Sequence, residues 1–198
     1  MDIKKFLEKL SSGTPTPGGG SASALAGALS AGLVAMTAGL SLKQGRLRKK
    51  EVEDIRKRAL AIQERLLRAV DEDAESYEAV LRAFRLPKNT ERERLHRGKV
   101  IQKAYQKATA APQGVCQLCI QLLEYSKTLI LRGNPNAISD AGVAAFLADA
   151  ALAGGLLNIS INLVPGTDKT FVKKMHSLMG RWAKKRNHLM REIQNALR

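Results

Sequence analysis

Residues 51–84, EVEDIRKRALAIQERLLRAVDEDAESYEAVLRAF, set apolar side chains at Val52, Ile55, Ala59, Ile62, Leu66, Val70, Ala74, Tyr77, Leu81 and Phe84, in steps of three and four throughout. That is the period of one face of an α-helix, and no strand reproduces it. The pattern predicts one long helix from about Arg46 to Leu86, ended by Pro87. A stripe of that length must be covered by elements of similar length, so the expected architecture is a bundle of long antiparallel helices.

The flanking sequence agrees. A short helix over Asp2–Leu10 and a glycine loop precede a helix from about Ser21 to Leu42, whose small residues Gly27, Ala31, Ala35, Ala38 and Gly39 let neighbouring backbones come close. Thr90 and Glu93 form a capping box that opens a fourth helix running to about Ala111, and Pro112 falls in the first turn of a fifth. Ser139 is an N-cap candidate for a helix from Asp140 to about Leu156, which carries a Gly154-Gly155 pair. The following LNISINLV, residues 157–164, alternates as a strand would, but no other segment offers a pairing partner, so helix is expected. Asn158 and Asn162 share a face on either reading. After Pro165, Thr167 or Asp168 begins a basic, amphipathic last helix. The expectation is all-α, with residues 1–198 forming a single domain.

A net charge of +15 suits a polyanionic partner: nucleic acid, an anionic membrane face, or a small substrate bearing several carboxylates. Aromatic content of 4% leaves few side chains for base stacking, which argues against nucleic acid. MDIKKFLEKL lacks the apolar run of a secretory signal, so a cytoplasmic location is expected. The segment Gly18–Leu42 is uncharged and long enough to span a bilayer, yet its Ala, Gly, Ser and Thr suit packing against helices, and no membrane partner is expected. Cys116 and Cys119, at i, i+3, make no disulfide framework and are expected as buried thiols. His96, His176 and His188 are scattered singly, so no metal site is expected.

Two features carry chemistry. The first is TPTPGGGSASALAGA, residues 14–28, where Gly18, Gly19 and Gly20 run into a helix with Ser21 placed to cap its first amides. A carboxylate or phosphate there would meet amide donors and the positive end of the helix dipole. No Lys precedes Ser21 as a P-loop requires, and Ser23 stands where a dinucleotide fingerprint needs its third glycine. The second feature is Asp73. On a helical wheel Ile55, Ile62, Leu66, Val70, Tyr77, Val80 and Phe84 all fall within about 60° of it, while Asp71 lies about 160° away. Asp71, Glu72, Glu75 and Glu78 read as a solvated patch, whereas Asp73 sits inside the apolar stripe, where it serves either as a general base or as a structural acid with a hydrogen-bonded partner.

Three ordered motifs, TPTPGGGS, VDEDAESY with RLPKNT, and GNPNAISDAGVAA with NISIN, resemble the cyclodeaminase domain of formiminotransferase cyclodeaminase and the stand-alone methenyltetrahydrofolate cyclohydrolases. The resemblance implies an all-helical homodimer with a folate site near the subunit interface. It puts the catalytic aspartate on Asp73 and the substrate-binding positions on Gly18, Gly19, Gly20, Ser21, Lys88, Arg97, Asn134, Ser139, Asp140, Asn158 and Asn162. Lys88, Arg97 or the glycine-loop amides would hold the glutamate carboxylates of a folate tail, a monoglutamate or a polyglutamate, and Asp140 with the Asn residues would bond the pterin. Arg94 departs from the family's usual Lys, and the chain is expected to stand alone without a fused transferase domain. The implied reaction is therefore hydrolysis of methenyltetrahydrofolate to formyltetrahydrofolate, with formiminotetrahydrofolate cyclodeamination as its alternative and no cofactor beyond the folate. A reading from another class is a basic helical RNA- or protein-binding module without catalysis.

Overall fold

The structure is a computed structural model and describes residues 2–44, 46–163 and 168–198. Its helices are α1 (Ile3–Leu10), α2 (Gly19–Ser41), α3 (Lys49–Phe84), α4 (Glu91–Ala108), α5 (Ala110–Arg132), α6 (Ile138–Leu163) and α7 (Lys169–Ala196), with a 3-10 turn at Pro135–Ala137. Among the described residues there is no strand. The strand-like stretch from Leu157 continues α6 without a break as far as Leu163, and its last residue, like Thr167, lies outside the described residues.

α2 is the axis of the bundle. It runs antiparallel to α3, with Gly27 against Leu66, Gly32 against Gln63 and Gly39 against Arg56. On its other flank it runs antiparallel to α6: Ser30 Oγ donates to Ala144 O at 2.7 Å, and Ser23 packs on Gly154. Behind both lies α5. A Cβ on Gly155 would stand 2.7 Å from Cys116 Sγ, so the glycine is what lets α5 and α6 touch there. Both cysteines are buried free thiols; burial pushes Cys116 up to about 12 and Cys119 further in the same direction. α7 is fastened to α6 by Arg186, whose Nε and Nη2 donate to the two oxygens of Asp149 at 2.5 and 2.7 Å.

The ends of the helices follow local chemistry. Thr90 and Glu93 make the capping box of α4, and Asp168 caps α7 through the amides of Thr170 and Phe171. Two expected caps are replaced. Gly18 is the N-cap of α2, so Ser21 stands inside the first turn; Asn134 caps the 3-10 turn before α6, so Ser139 is already helical. α4 stops at Ala108 rather than near Ala111, and Pro112 occupies the third position of α5, where its missing N–H costs no bond.

Two consequences concern function. α3 outruns α2: beyond Asp73 its last eleven residues project about 16 Å past the bundle end and are covered by α4, with Phe84 meeting Tyr105 edge to face. Secondly, the bundle leaves an apolar face on the side of α2 and α6 away from α5. Leu29, Met36 and Leu40 of α2, Leu60 and Leu67 of α3, and Val143, Phe146, Leu157 and Ile161 of α6 are all exposed. α2 and the Pro135–Leu163 segment are long and apolar enough to cross a membrane, but about half of each is buried inside the bundle.

Candidate active site

Asp73 meets the start of α2. Its Oδ2 accepts the Ser21 amide at 2.9 Å and lies 3.0 Å from Ser21 Oγ, which also donates to Val70 O at 2.9 Å. Because the cap and first two residues of α2 are glycines, the α3 backbone can approach closely enough for an aspartate to reach its first turn; a Cβ on Gly20 would overlap Asp73 Oδ1. The carboxylate thus acts as the missing cap of α2, supplied from another helix, and its charge faces the positive end of the α2 dipole. The place expected for a ligand anion is therefore occupied by the protein's own Asp73. A second anion bonded to the same amide would meet it as a like charge.

The expectation that Asp73 is buried needs correction. It is half-buried, because the apolar stripe of α3 leaves the core after Val70: Tyr77 is 39% and Phe84 44% exposed. Its inner side closes on a slot lined by Gly20, Ser23, Ala69, Ala111, Pro112, Val115 and Gly155, too narrow for a water molecule. Both hydrogen bonds land on Oδ2, and among the described residues Oδ1 accepts none.

The residues expected around Asp73 divide into three groups. Gly18, Gly19, Gly20, Ser21 and Asn158 gather with it: the Asn158 amide lies 3.8 Å from where a Gly19 Cβ would stand and donates to Gly154 O at 2.8 Å. Asn162, one turn along α6, donates to Ala108 O at 3.1 Å. Lys88 and Arg97 lie at the projecting end. Lys88 is exposed without an ion pair among the described residues, whereas Arg97 is engaged, donating twice to Phe84 O at 3.2 and 3.1 Å with its guanidinium 5.3 Å from the Phe84 ring. Asn134, Ser139 and Asp140 sit at the opposite end of α2. Asn134 donates to Leu40 O and accepts from Asn136, about 30 Å from the glycine loop by helix rise. One protomer does not bring them to Asp73.

Sequence reasoning missed a groove of about 270 Å³ between α3 and the α4–α5 junction, lined by Glu72, Glu75, Ser76, Arg82, Lys107 and Ala111 among others. Arg82 and Lys107 are the cations of this groove, which shares Ala111 with the slot beside Asp73. The signal available was Pro112, whose helix start turns the chain against α3 here.

Residues 2–181 match the family model described as formiminotransferase-cyclodeaminase. The chain belongs to that family. Methenyltetrahydrofolate cyclohydrolase of Methylorubrum extorquens is 38% identical over 87% of this chain and 84% of its own length. Mouse formimidoyltransferase-cyclodeaminase is 32% identical over 88% of this chain, which spans only 32% of that protein. The crystal structure of formiminotetrahydrofolate cyclodeaminase from Thermotoga maritima superposes with a TM-score of 0.90 at 26% identity, covering 100% of this chain and 96% of that one. The all-helical fold expected from residues 51–84 is thus the fold of the formiminotransferase-cyclodeaminase family.

Proposed function

We propose that this family member hydrolyses methenyltetrahydrofolate to formyltetrahydrofolate, with Asp73 carrying the proton. The broader assignment, a folate one-carbon enzyme of the cyclohydrolase or cyclodeaminase type, stands on the family match and on the relatives just described. The observation that carries the specific reading is the anchored carboxylate: Oδ2 is tied to Ser21, and Oδ1 accepts no hydrogen bond among the described residues.

The substrate carbon lies between two nitrogens of an amidinium cation. An ionised Asp73 attracts that cation, and Oδ1 takes a proton as water adds to the carbon. The tetrahedral adduct then collapses: its hydroxyl becomes the formyl C=O and releases the second water proton to solvent, one C–N bond breaks, and Oδ1 returns the first proton to the leaving nitrogen. Neither step oxidises or reduces the carbon, so the proposal includes no redox cofactor. In the alternative cyclodeamination the folate nitrogen that does not carry the formimino group attacks its carbon, a ring closes and ammonia leaves, with the same carboxylate moving the proton.

A folate tail, with one or several glutamates, fits the cations Lys107 and Arg82 of the groove between α3 and the α4–α5 junction, with Lys88 at the projecting end of α3. Arg97 is better suited to fixing the end of α3 than to holding substrate.

We infer further that the working form is a soluble, cytoplasmic homodimer. A second copy seated on the apolar face, with α2 antiparallel to its twin, would cover Leu29, Met36, Leu40 and Leu67. The same two-fold carries Asn134, Ser139 and Asp140 of the partner subunit toward Asp73, which joins two halves of a site that one chain holds about 30 Å apart.

The experiment is a direct comparison of substrates. Loss of methenyltetrahydrofolate absorbance should outpace ammonia release from formiminotetrahydrofolate; the reverse order assigns the cyclodeaminase instead. Turnover of neither, together with salt-sensitive RNA binding, would overturn both in favour of the basic binding module.

A further inference from the structure

The Ser21 hydroxyl has one proton and two acceptors within reach. It is wholly buried, with Val70 O at 2.9 Å and Asp73 Oδ2 at 3.0 Å. Val70 lies well inside α3, so its carbonyl already receives an amide of the helix ladder and does not depend on the serine. The Ser21 amide holds Oδ2 at 2.9 Å whatever the hydroxyl does. Free choice is therefore confined to the hydroxyl proton, which can turn between a carboxylate and a carbonyl by rotation about one bond.

We propose that Ser21 is a positioning residue that follows the proton on Asp73, donating to Oδ2 while the carboxylate is ionised and turning to the Val70 carbonyl when Oδ1 is protonated. The inference rests on the reading of Asp73 as general acid and base. No proton passes through Ser21. The proton moves from the attacking water to Oδ1 and from Oδ1 to the leaving nitrogen, while the serine only exchanges one acceptor for another. A fixed donor would hold the anion well and the neutral acid poorly; a rotating one keeps a bonded arrangement in both states. The bond to the carboxylate is charge-assisted and the bond to Val70 O is not, so the hydroxyl favours the ionised form overall.

Other charges near Asp73 do not mimic this effect. The chain carries no charged side chain from Ser11 to Leu42, which covers the glycine loop and all of α2. α5 presents Ala111, Pro112 and Val115, and the Cys116 thiol beneath Gly155 stays protonated because burial pushes it up to about 12. α6 offers the neutral Asn158 and Asn162. Lys107 of α4 and Glu72, Glu75 and Arg82 of α3 line the adjoining groove and are the same in wild type and in a Ser21 variant, as is the nearby Tyr77.

The test is the pH dependence of kcat/KM for methenyltetrahydrofolate in the wild type, Ser21→Ala and Ser21→Thr. Removing the hydroxyl takes away a donor to the anion, so more alkaline solution is needed to ionise the base. The acid limb should move to higher pH by about one unit in S21A, and S21T, which keeps the hydroxyl, should restore it. An S21A limb at the wild-type position overturns the proposal even if the plateau is lower, since a purely structural serine would scale activity without moving the limb. Should S21A fail to fold by circular dichroism, S21C fills the same space with a weak donor and must shift the limb the same way. Carbon-13 NMR of the Asp73 carboxyl in wild type and S21A reads the displacement without turnover. A chain inactive on both folates would sink the proposed reaction, while the NMR comparison would still decide the role of Ser21.

Discussion

Gly20 and Asp73 stand so close that no methyl group fits between them: a Cβ built on Gly20 would overlap the carboxylate and lie 2.5 Å from its Cγ. The glycine is needed here for approach, since its backbone is ordinary helix. Gly20→Ala must therefore push Asp73 into another rotamer. The aspartate is half-buried and has solvent on its open side, so it can swing away without breaking the fold. Turnover should fall about 100-fold through misplacement of the carboxylate, while circular dichroism keeps the helical spectrum. Wild-type turnover in G20A would separate this contact from catalysis.

Asp73→Asn keeps the shape and removes the proton acceptor. The amide oxygen can still receive the Ser21 amide, so α2 retains a capping partner, but the charge facing its dipole is gone. The expected loss in kcat is about 10²–10⁴-fold, the usual contribution of a positioned acid or base. KM should change much less, because the groove cations are untouched. Loss of methenyltetrahydrofolate absorbance measures both; equal rates in D73N and wild type would remove Asp73 from the reaction.

How far residues 51–84 could foretell this site depended on what helical periodicity encodes. Periodicity located Asp73 on the side of α3 that faces α2, because side-chain direction along a helix is fixed by geometry alone. It overstated the burial of Asp73, since a wheel does not know that α2 ends opposite Asp73 and leaves Tyr77 and Phe84 to α4. The glycine loop read as a place for a ligand anion, yet the anion bonded there is the chain's own carboxylate 52 positions away, which no local rule connects. Likewise Ser21 and Ser139 carry the right side chains for N-caps, but Gly18 caps α2, and Asn134 caps the 3-10 turn that runs into α6, which leaves both serines inside their helices. The groove with Arg82 and Lys107 was invisible because it forms only where three helices meet.

The two thiols should be inert. Desolvation pushes Cys116 from its ordinary value of 9.0 up to about 12, and Cys119 moves the same way. Only the thiolate alkylates, so the folded protein at pH 8 should resist iodoacetamide and react at both positions once unfolded in guanidinium. The sign for stability follows. An unfolded thiol ionises near 9 and the folded one near 12, so stability is complete below pH 9 and is lost as pH rises toward 12. Fast alkylation of the folded protein would mean that α5 and α6 separate at Gly155 in solution.

A site shared between subunits makes a prediction that no single-chain site can satisfy. Asp140→Asn and Asp73→Asn should each abolish most activity, the first by weakening substrate contacts and the second by removing the proton carrier. If Asp140 serves the Asp73 of its partner, a mixed dimer holds one site with both changes and one with neither. Equal mixing after dissociation gives half mixed dimers, each with one intact site of two, so activity should recover to about a quarter of wild type. The exposed stripe supplies the control: Met36→Lys places a charge at the centre of the face that must be covered, so it should yield a monomer by light scattering, inactive alone and unable to complement. No recovery of activity after mixing, with the dimer intact, would show that Asp140 does not serve the Asp73 of its partner and would overturn the shared site.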